Sequence, residues 1–350
     1  MSGGRTPAGR TPDRRGAGDA LDRGTVAWGK YKGERALVLE NQQLRAVLLP
    51  DWGAKTISLV HRPSEYETLW QNPGERFAPT GYGDPYGAGE FAGFDEMFPT
   101  ISRCFHESVP WSGVEMPDHG EVWTIPWEVT TGENEVTLSV TGIRFPYRLR
   151  KTVTLVGEQL VARYAATNLS GFPLEFIWAA HPLFNASEDM RFIVPKGMTE
   201  IINAVPGPTL GGYGQRYAFP EARGPGGTTI RLDRVPRKNP TGYQKYWFSS
   251  KVTEGWCILH DAERRLSIAL SFPPAEVPWL GMWLNDGGYG GQYNVAPEPA
   301  TGAMDRVDFS RMWGMGSTLR AGETREWHLG ITVSAGSEPS AVGPGGELLR

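Results

Sequence analysis

Hydrophobic residues along much of the chain alternate with polar ones at every second position. Val136, Leu138 and Val140 alternate with threonine and serine, and the same spacing recurs at 266–272 and 327–333. Because successive side chains of a β-strand point to opposite faces, this period predicts strands with one buried face. Further strands are predicted at residues 36–40, 44–49, 149–155, 159–166 and 174–179.

Helical periodicity is weak by comparison. No window of about 12 or more residues has the 3.6-residue spacing of an amphipathic helix, and glycine and proline repeatedly interrupt the apolar runs. Predicted strands follow one another without a linker or a shift in composition. We therefore predict an all-β fold, with residues 25–335 forming one large antiparallel β-sandwich domain.

The two ends of the chain differ from this pattern. Residues 1–24 combine arginine with glycine, proline, alanine and aspartate and offer almost nothing apolar to bury, which predicts a disordered tail. Residues 336–350 are again rich in glycine and proline, and we predict a second flexible tail there.

Composition narrows the classes of function. A net charge of −4 argues against nucleic-acid binding, which requires a basic face. Neither a membrane-spanning apolar stretch nor the apolar core of a signal peptide is present, so we expect a cytoplasmic protein without membrane contact. Cys104 and Cys257, the only cysteines, are predicted to be reduced. The expected partner is a small neutral or polar molecule, bound by a monomer or homodimer.

His181 follows an apolar run and precedes a proline, which has no amide hydrogen and would end the strand. A histidine at the end of a strand is well placed for proton transfer, because its ordinary pKa is near neutrality. The alternative is a histidine with a structural role in a turn.

Glu298 is flanked by Pro297 and Pro299, which restrict the backbone on both sides. Apolar neighbours would raise the pKa of its carboxyl group and make it a useful base. The alternative is an exposed loop glutamate.

Other polar and aromatic residues are candidates for contact with a ligand. His119, beside Asp118 and close to Trp123, could bond a sugar hydroxyl group; the alternative is a solvated loop histidine. Residues 93–103 contain the carboxylates of Asp95 and Glu96 and the guanidinium group of Arg103, which could bond several sugar hydroxyl groups. A surface turn without a role in binding would explain this segment equally well. The remaining candidate substrate-binding residues are Asp95, Glu96, Arg103, Trp178, Trp283 and Asn285.

Two other kinds of chemistry lack support in the sequence. The six histidines include no His-x-His and no His-Glu-x-x-His spacing, so no metal site is predicted. A Gly-x-Ser-x-Gly nucleophile motif is also missing. We expect no cofactor.

In chain order, these segments resemble the aldose 1-epimerase (galactose mutarotase) family. Residues 168–174 resemble its N-L-S-x-x-P-L stretch, and residues 180–185 resemble its A-H-P-Y-F-N. His119-Gly120, followed by Trp127 and Val129, resembles H-G…W-x-V, and Glu298 falls where the family places its catalytic glutamate. The resemblance extends over residues 35–333. It implies a β-supersandwich that requires no cofactor.

The resemblance also implies roles for single residues. The residue matching His181 would protonate the sugar ring oxygen, the one matching Glu298 would take the proton from the anomeric hydroxyl, and His119 would hold the ring oxygen or a neighbouring hydroxyl. Leu183 and Trp123 depart from the family's usual tyrosine and arginine, and residues 94–99 resemble a divergent branch with W-D-E-C-F-P.

The expected function is therefore an isomerase that interconverts the α and β anomers of an aldose or related sugar. Two alternatives stay open at this stage. One is a lyase or hydrolase acting on a glycoside or uronide in the same fold, and the other is a non-catalytic sugar-binding protein.

Overall fold

A computed structural model describes residues 23–350. The tail predicted at residues 1–24 lies outside this range except for its last two residues, of which Gly24 donates its backbone amide to Leu155 O at 3.1 Å. Strands dominate, and the single α-helix in the described part of the chain is α1 (Val307–Met312). Short 3₁₀ turns lie at Arg62–Ser64, Tyr86–Ala88 and Pro225–Gly227.

The larger of two main sheets is antiparallel and has 13 strands. Its main path runs, in spatial order, β1 (Thr25–Tyr31), β2 (Glu34–Glu40), β3 (Leu44–Leu49), β4 (Lys55–His61), β6 (Phe94–Met97), β14 (Ala179–Pro182), β25 (Asn294–Ala300), β24 (Trp279–Asn285), β21 (Tyr243–Phe248), β17 (Glu200–Asn203) and β18 (Arg216–Ala218). Off this path, β5 (Tyr66–Glu67) pairs with β4 and β15 (Phe184–Asn185) pairs with β25.

The second main sheet has 8 antiparallel strands. Its order is β16 (Arg191–Ile193), β22 (Trp256–Asp261), β23 (Leu266–Ser271), β27 (Thr324–Ala335), β12 (Gln159–Asn168), β11 (Tyr147–Val156), β10 (Glu135–Thr141) and β9 (Glu128–Thr131). Four two-stranded pairs complete the fold: β7 (Cys104–Phe105) with β8 (Glu115–Met116), β13 (Leu174–Phe176) with β26 (Ser317–Leu319), β19 (Glu221–Arg223) with β20 (Thr229–Arg231), and β28 (Ala341–Val342) with β29 (Leu348–Leu349).

The two main sheets pack against each other through one apolar cluster. Leu39 and Leu48 of the larger sheet belong to it together with Leu138 and Leu149 of the second sheet. Alternate positions of β10 are buried, as the period of two predicts. The predicted all-β sandwich is confirmed. No helix in the described range is long and apolar enough to cross a membrane.

Two segments have a secondary structure that the sequence pattern did not indicate. The strand expected at 174–179 is divided between β13 and β14, because Trp178 donates its backbone amide to the Thr301 side chain between them. Residues 336–350, expected to be flexible, contain the β28–β29 hairpin. Its apolar side chains pack against Trp256 and Ile258, a burial that the glycine and proline content did not reveal.

Candidate functional site

Register places five polar or aromatic side chains on one face of the larger sheet. Asp95 of β6 pairs with His181 of β14, and Ala179 of β14 pairs with Ala300 of β25, so His181 and Glu298 share a face. On the other side of β25, Glu298 pairs with Gly281 of β24. Trp283 lies two residues further along β24, on the same face, and pairs with Lys245 of β21. Period-two alternation therefore brings these side chains together.

A cavity of about 440 Å³ opens on this face. His181, Lys245, Trp283 and Glu298 reach it from the sheet. Connecting segments complete its wall with Pro85, Tyr86, Gly87, Phe91, Ile101, Ser102, Asp118, His119, Val205, Tyr289 and Asp305. Polar groups converging on a partly aromatic cleft of this size are typical of small-molecule sites.

His181 and Glu298 face each other inside the cavity. His181 Nε2 lies 3.8 Å from Glu298 Oε1, and the two residues are 4% and 0% exposed. Oε1 is buried and has no hydrogen-bond partner among residues 23–350. A buried acceptor without a partner is unusual, so this oxygen is available to a ligand.

Burial shifts the pKa values of the two groups in opposite directions. It raises the pKa of Glu298 from 4.5 to about 7 and lowers that of His181 well below 6.5. The charges of His119, Lys245 and Lys55 lower the pKa of His181 further. Near neutral pH the pair can therefore hold one proton, which the electrostatics favour on Glu298.

Lys245 and Asp305 are charged residues of the site that sequence reasoning missed. Lys245 Nζ donates to Glu298 Oε2, and Asp305 Oδ1 lies 3.7 Å from the same Nζ while accepting from Trp247 Nε1 at 2.8 Å. After burial, the Lys245 charge has the next largest effect on the pKa of Glu298 and lowers it, whereas Asp305 raises it. A lysine within the aromatic strand Tyr243–Phe248 was the available signal.

His119 lines the cavity beside Tyr86, an aromatic residue that sequence reasoning did not select. Its Nδ1 lies 3.0 Å from Asp118 Oδ1, and its ring stacks on Tyr86 with centroids 3.9 Å apart. Trp123, the departure from the family pattern, is buried and donates its indole N–H to Asp118 O at 3.0 Å. This hydrogen bond from Trp123 holds the backbone of the Asp118–His119 segment in place.

Asp95 shares the face of His181 but does not line the cavity. Its Oδ2 accepts from the Tyr86 hydroxyl at 2.8 Å and lies 2.9 Å from Lys55 Nζ. Tyr86 stands between Asp95 and the cavity, so the expected direct contact of Asp95 with a ligand does not fit this arrangement.

Glu96 and Trp178, both expected to bind substrate, lie on the opposite face. Glu96 is fully buried and accepts from Lys151 Nζ at 3.1 Å, from the Tyr164 hydroxyl at 2.9 Å and from Trp178 Nε1 at 2.9 Å. These partners belong to the core between the sheets. We correct the expectation for both residues: strand alternation turns Glu96 away from the cavity, and Trp178, which lies just before β14, donates its indole N–H to Glu96 in the core.

Arg103 and Asn285 also have other partners. Arg103 forms an ion pair with Glu115, and 65% of its side chain is exposed. Asn285 accepts from the backbone amides of Gly287 and Tyr289, and so holds the loop after β24. We correct the expectation for both. Trp283 does line the cavity, and its indole N–H is buried without a partner in the described part of the chain.

Metal-binding potential is low in the described part of the chain, where no three His, Cys, Asp or Glu side chains form a group that could hold an ion. Cys104 and Cys257 are buried free thiols.

Sequence comparison finds neither a matching family model nor a matching curated protein. Solved structures do match. A galactose mutarotase-like protein from Lactobacillus casei has a TM-score of 0.62 at 18% identity, covering 85% of this chain and 100% of that one. A galactose mutarotase related enzyme from Lactobacillus acidophilus has a TM-score of 0.61 at 16% identity, covering 87% and 98%. A proposed aldose 1-epimerase from Escherichia coli K12 has a TM-score of 0.61 at 15% identity, covering 85% and 98%.

These likenesses extend over most of both chains, at identities of 15% to 18%. The chain has the fold of the galactose mutarotase-like proteins.

Proposed function

We propose that the protein interconverts the α and β anomers of an aldose or a related sugar by acid–base ring opening. The observation that carries the proposal is the buried pair His181 and Glu298, whose Nε2 and Oε1 atoms lie 3.8 Å apart in a cavity of about 440 Å³. Ring opening needs proton transfer at two oxygens bonded to the same carbon. A closely spaced acid and base suits that requirement.

The proposed cycle balances with one proton on the pair. Protonated His181 gives its Nε2 proton to the ring oxygen while Glu298 takes the proton of the anomeric hydroxyl. At the same time the bond from C1 to the ring oxygen breaks and the C1 carbonyl forms. After rotation about C1–C2, the ring oxygen attacks the other face of C1. Glu298 then returns its proton to the carbonyl oxygen and His181 recovers its own.

The electrostatics of the site support the middle of this cycle. While the sugar is open, His181 is neutral and Glu298 is protonated. Burial favours the same arrangement, because it lowers the pKa of His181 and raises that of Glu298 to about 7. The site therefore stabilises the proton distribution that accompanies the open-chain aldehyde.

Exchange NMR between the α and β anomeric signals of a panel of aldoses tests the proposal. The wild type should accelerate interconversion over buffer, and His181→Ala and Glu298→Gln should each lose about 10²- to 10⁴-fold. His328→Ala and Glu326→Gln are matched controls, because both residues are exposed on β27. Specific binding without acceleration for any aldose would contradict catalysis, and consumption of a glycoside would favour a hydrolase or lyase.

A further inference from the structure

Tyr86 brings a hydroxyl group into the cavity wall beside His181. It begins the turn Tyr86–Ala88 in the long connection between β5 and β6, where its backbone amide donates to Asp118 Oδ2 at 2.9 Å. Its ring stacks on His119 and meets Phe91 edge-on, with centroids 4.8 Å apart. The residue is only 6% exposed. This packing fixes the position of the hydroxyl group.

The hydroxyl proton of Tyr86 is directed at Asp95. Tyr86 Oη donates to Asp95 Oδ2 at 2.8 Å, and Lys55 Nζ lies 2.9 Å from the same carboxylate oxygen. A carboxylate paired with an ammonium group has only acceptors, so the proton in the bond is that of the tyrosine. Burial raises the pKa of Tyr86 well above its usual value, and the hydroxyl keeps its proton.

This arrangement determines which nitrogen of His181 carries hydrogen. His181 Nδ1 lies 3.2 Å from Tyr86 Oη. Because the only hydroxyl proton is already used toward Asp95, Oη can only accept here, and Nδ1 must be the donor. In a neutral imidazole, Nε2 then has no proton. Nε2 is the atom that faces Glu298 Oε1.

We propose that Asp95 and Tyr86 are positioning residues that hold neutral His181 in the Nδ1-protonated tautomer, with the Nε2 lone pair directed into the cavity. The catalytic meaning of this tautomer rests on the proposed function, since Nε2 must take up and return a proton in each cycle. A ring with its proton on Nε2 could not accept one there. The tautomer itself is a property of the resting protein.

Long-range ¹H–¹⁵N correlation NMR of the ¹⁵N-labelled protein tests the tautomer without any substrate. The signals of His181 are identified by their loss in His181→Ala. At neutral pH we expect a protonated Nδ1 and an unprotonated Nε2 in the wild type. A wild type with the proton on Nε2 would overturn the proposal whatever the variants do.

Tyr86→Phe removes the acceptor but retains the ring. It should populate the Nε2-protonated tautomer and lower kcat by about 10- to 100-fold with little change in KM, less than removal of an acid–base group costs. Tyr82→Phe is the matched control, because Tyr82 anchors the same connection through Glu121 Oε1 at 2.7 Å. Its His181 spectrum should match the wild type, and equal changes in both variants would contradict the proposal. If no aldose is interconverted, the proposed function fails while the spectra still decide the tautomer.

Discussion

Replacement of Lys245 by Met tests whether the cation beside Glu298 sets the pH range of activity. Lys245 Nζ bonds Glu298 Oε2, and their side chains are 5% and 0% exposed. Burial raises the pKa of Glu298 to about 7, and the charge of Lys245 acts against this rise. Methionine preserves the length of the side chain and removes its charge. The pKa of Glu298 should therefore rise further in the variant.

The size of the shift follows from the separation of the charges. At about 4 Å and an effective dielectric constant near 20, two unit charges attract by roughly 4 kcal/mol, or about 3 pKa units. An opposite charge at short range shifts carboxyl pKa values in proteins by roughly 1 to 3 units. Because Asp305 also interacts with Lys245, at 3.7 Å, only part of this attraction acts on Glu298. We expect a rise of about 1 to 2 units.

The pH dependence of kcat/KM, measured by anomer exchange, reports this shift. Catalysis needs one proton on the pair, so wild-type activity should fall as the pH rises through about 7 and Glu298 loses that proton. His181 sets the acid limb well below pH 6.5, where it takes up a second proton. Lys245→Met should move the alkaline limb up by about 1 to 2 units, and the acid limb upward too, because Lys245 also lowers the pKa of His181.

Lys251→Met, the same change at an exposed lysine, should leave both limbs in place. An alkaline limb in Lys245→Met that stays at the wild-type pH, or moves to lower pH, would refute the electrostatic reasoning.

Two further predictions concern stability, measured by urea unfolding. Gly120 has φ +80°, and an added Cβ would lie 2.1 Å from Phe98 O, so Gly120→Ala should cost at least about 2 kcal/mol; a loss below about 0.5 kcal/mol would contradict the clash. Glu96→Leu leaves the buried Lys151 ammonium group without its ion-pair partner, although it still donates to Ala54 O at 2.8 Å, and should cost about 3 to 5 kcal/mol. Loss of the exposed Arg103 pair in Arg103→Ala should cost about 1 kcal/mol or less. Equal losses in these two variants would show that burial does not separate the two ion pairs.

Strand periodicity was enough to predict the all-β sandwich, whereas the resemblance to the aldose 1-epimerase family selected His181 and Glu298 from residues that had equally good structural explanations. Apolar patterning identified five strands of the second sheet, β10, β11, β12, β23 and β27, because one face of each is buried against the other sheet, but only β2 and β3 among the long strands of the larger sheet. The immediate surroundings of Glu298 were less clear. Its flanking prolines indicated a restricted backbone and left an exposed loop as the alternative, but Glu298 lies buried within β25. Residues 296–299 of this strand pair with β24 and not with β14 or β15. Prolines are tolerated there because that edge lacks a complete hydrogen-bond ladder.

The residues that sequence reasoning missed depend on long-range folding. Tyr86 belongs to a connection with little regular structure, and no local pattern indicates that its ring will pack against His119. Asp305 reaches the cavity from the segment before α1 for the same reason. Lys245 is different. A charged residue inside a strand whose other positions are mostly buried needs a partner, and that requirement could have marked it as part of a polar site.

The adjacent carboxylates Asp95 and Glu96 show how far alternation alone can decide a role. Neighbours in a strand point to opposite faces, so the two could never have bound one ligand together once β6 formed. Register then selects between them: Asp95 pairs with His181, whereas Glu96 pairs with Ala180 and faces the core. Trp178 lies in the break between β13 and β14 and donates its indole N–H to Glu96 in the same core. Of the two carboxylates, only Asp95 lies on the face of the sheet that carries the cavity. It acts on His181 through Tyr86, whose hydroxyl group donates to Asp95 and accepts from His181 Nδ1.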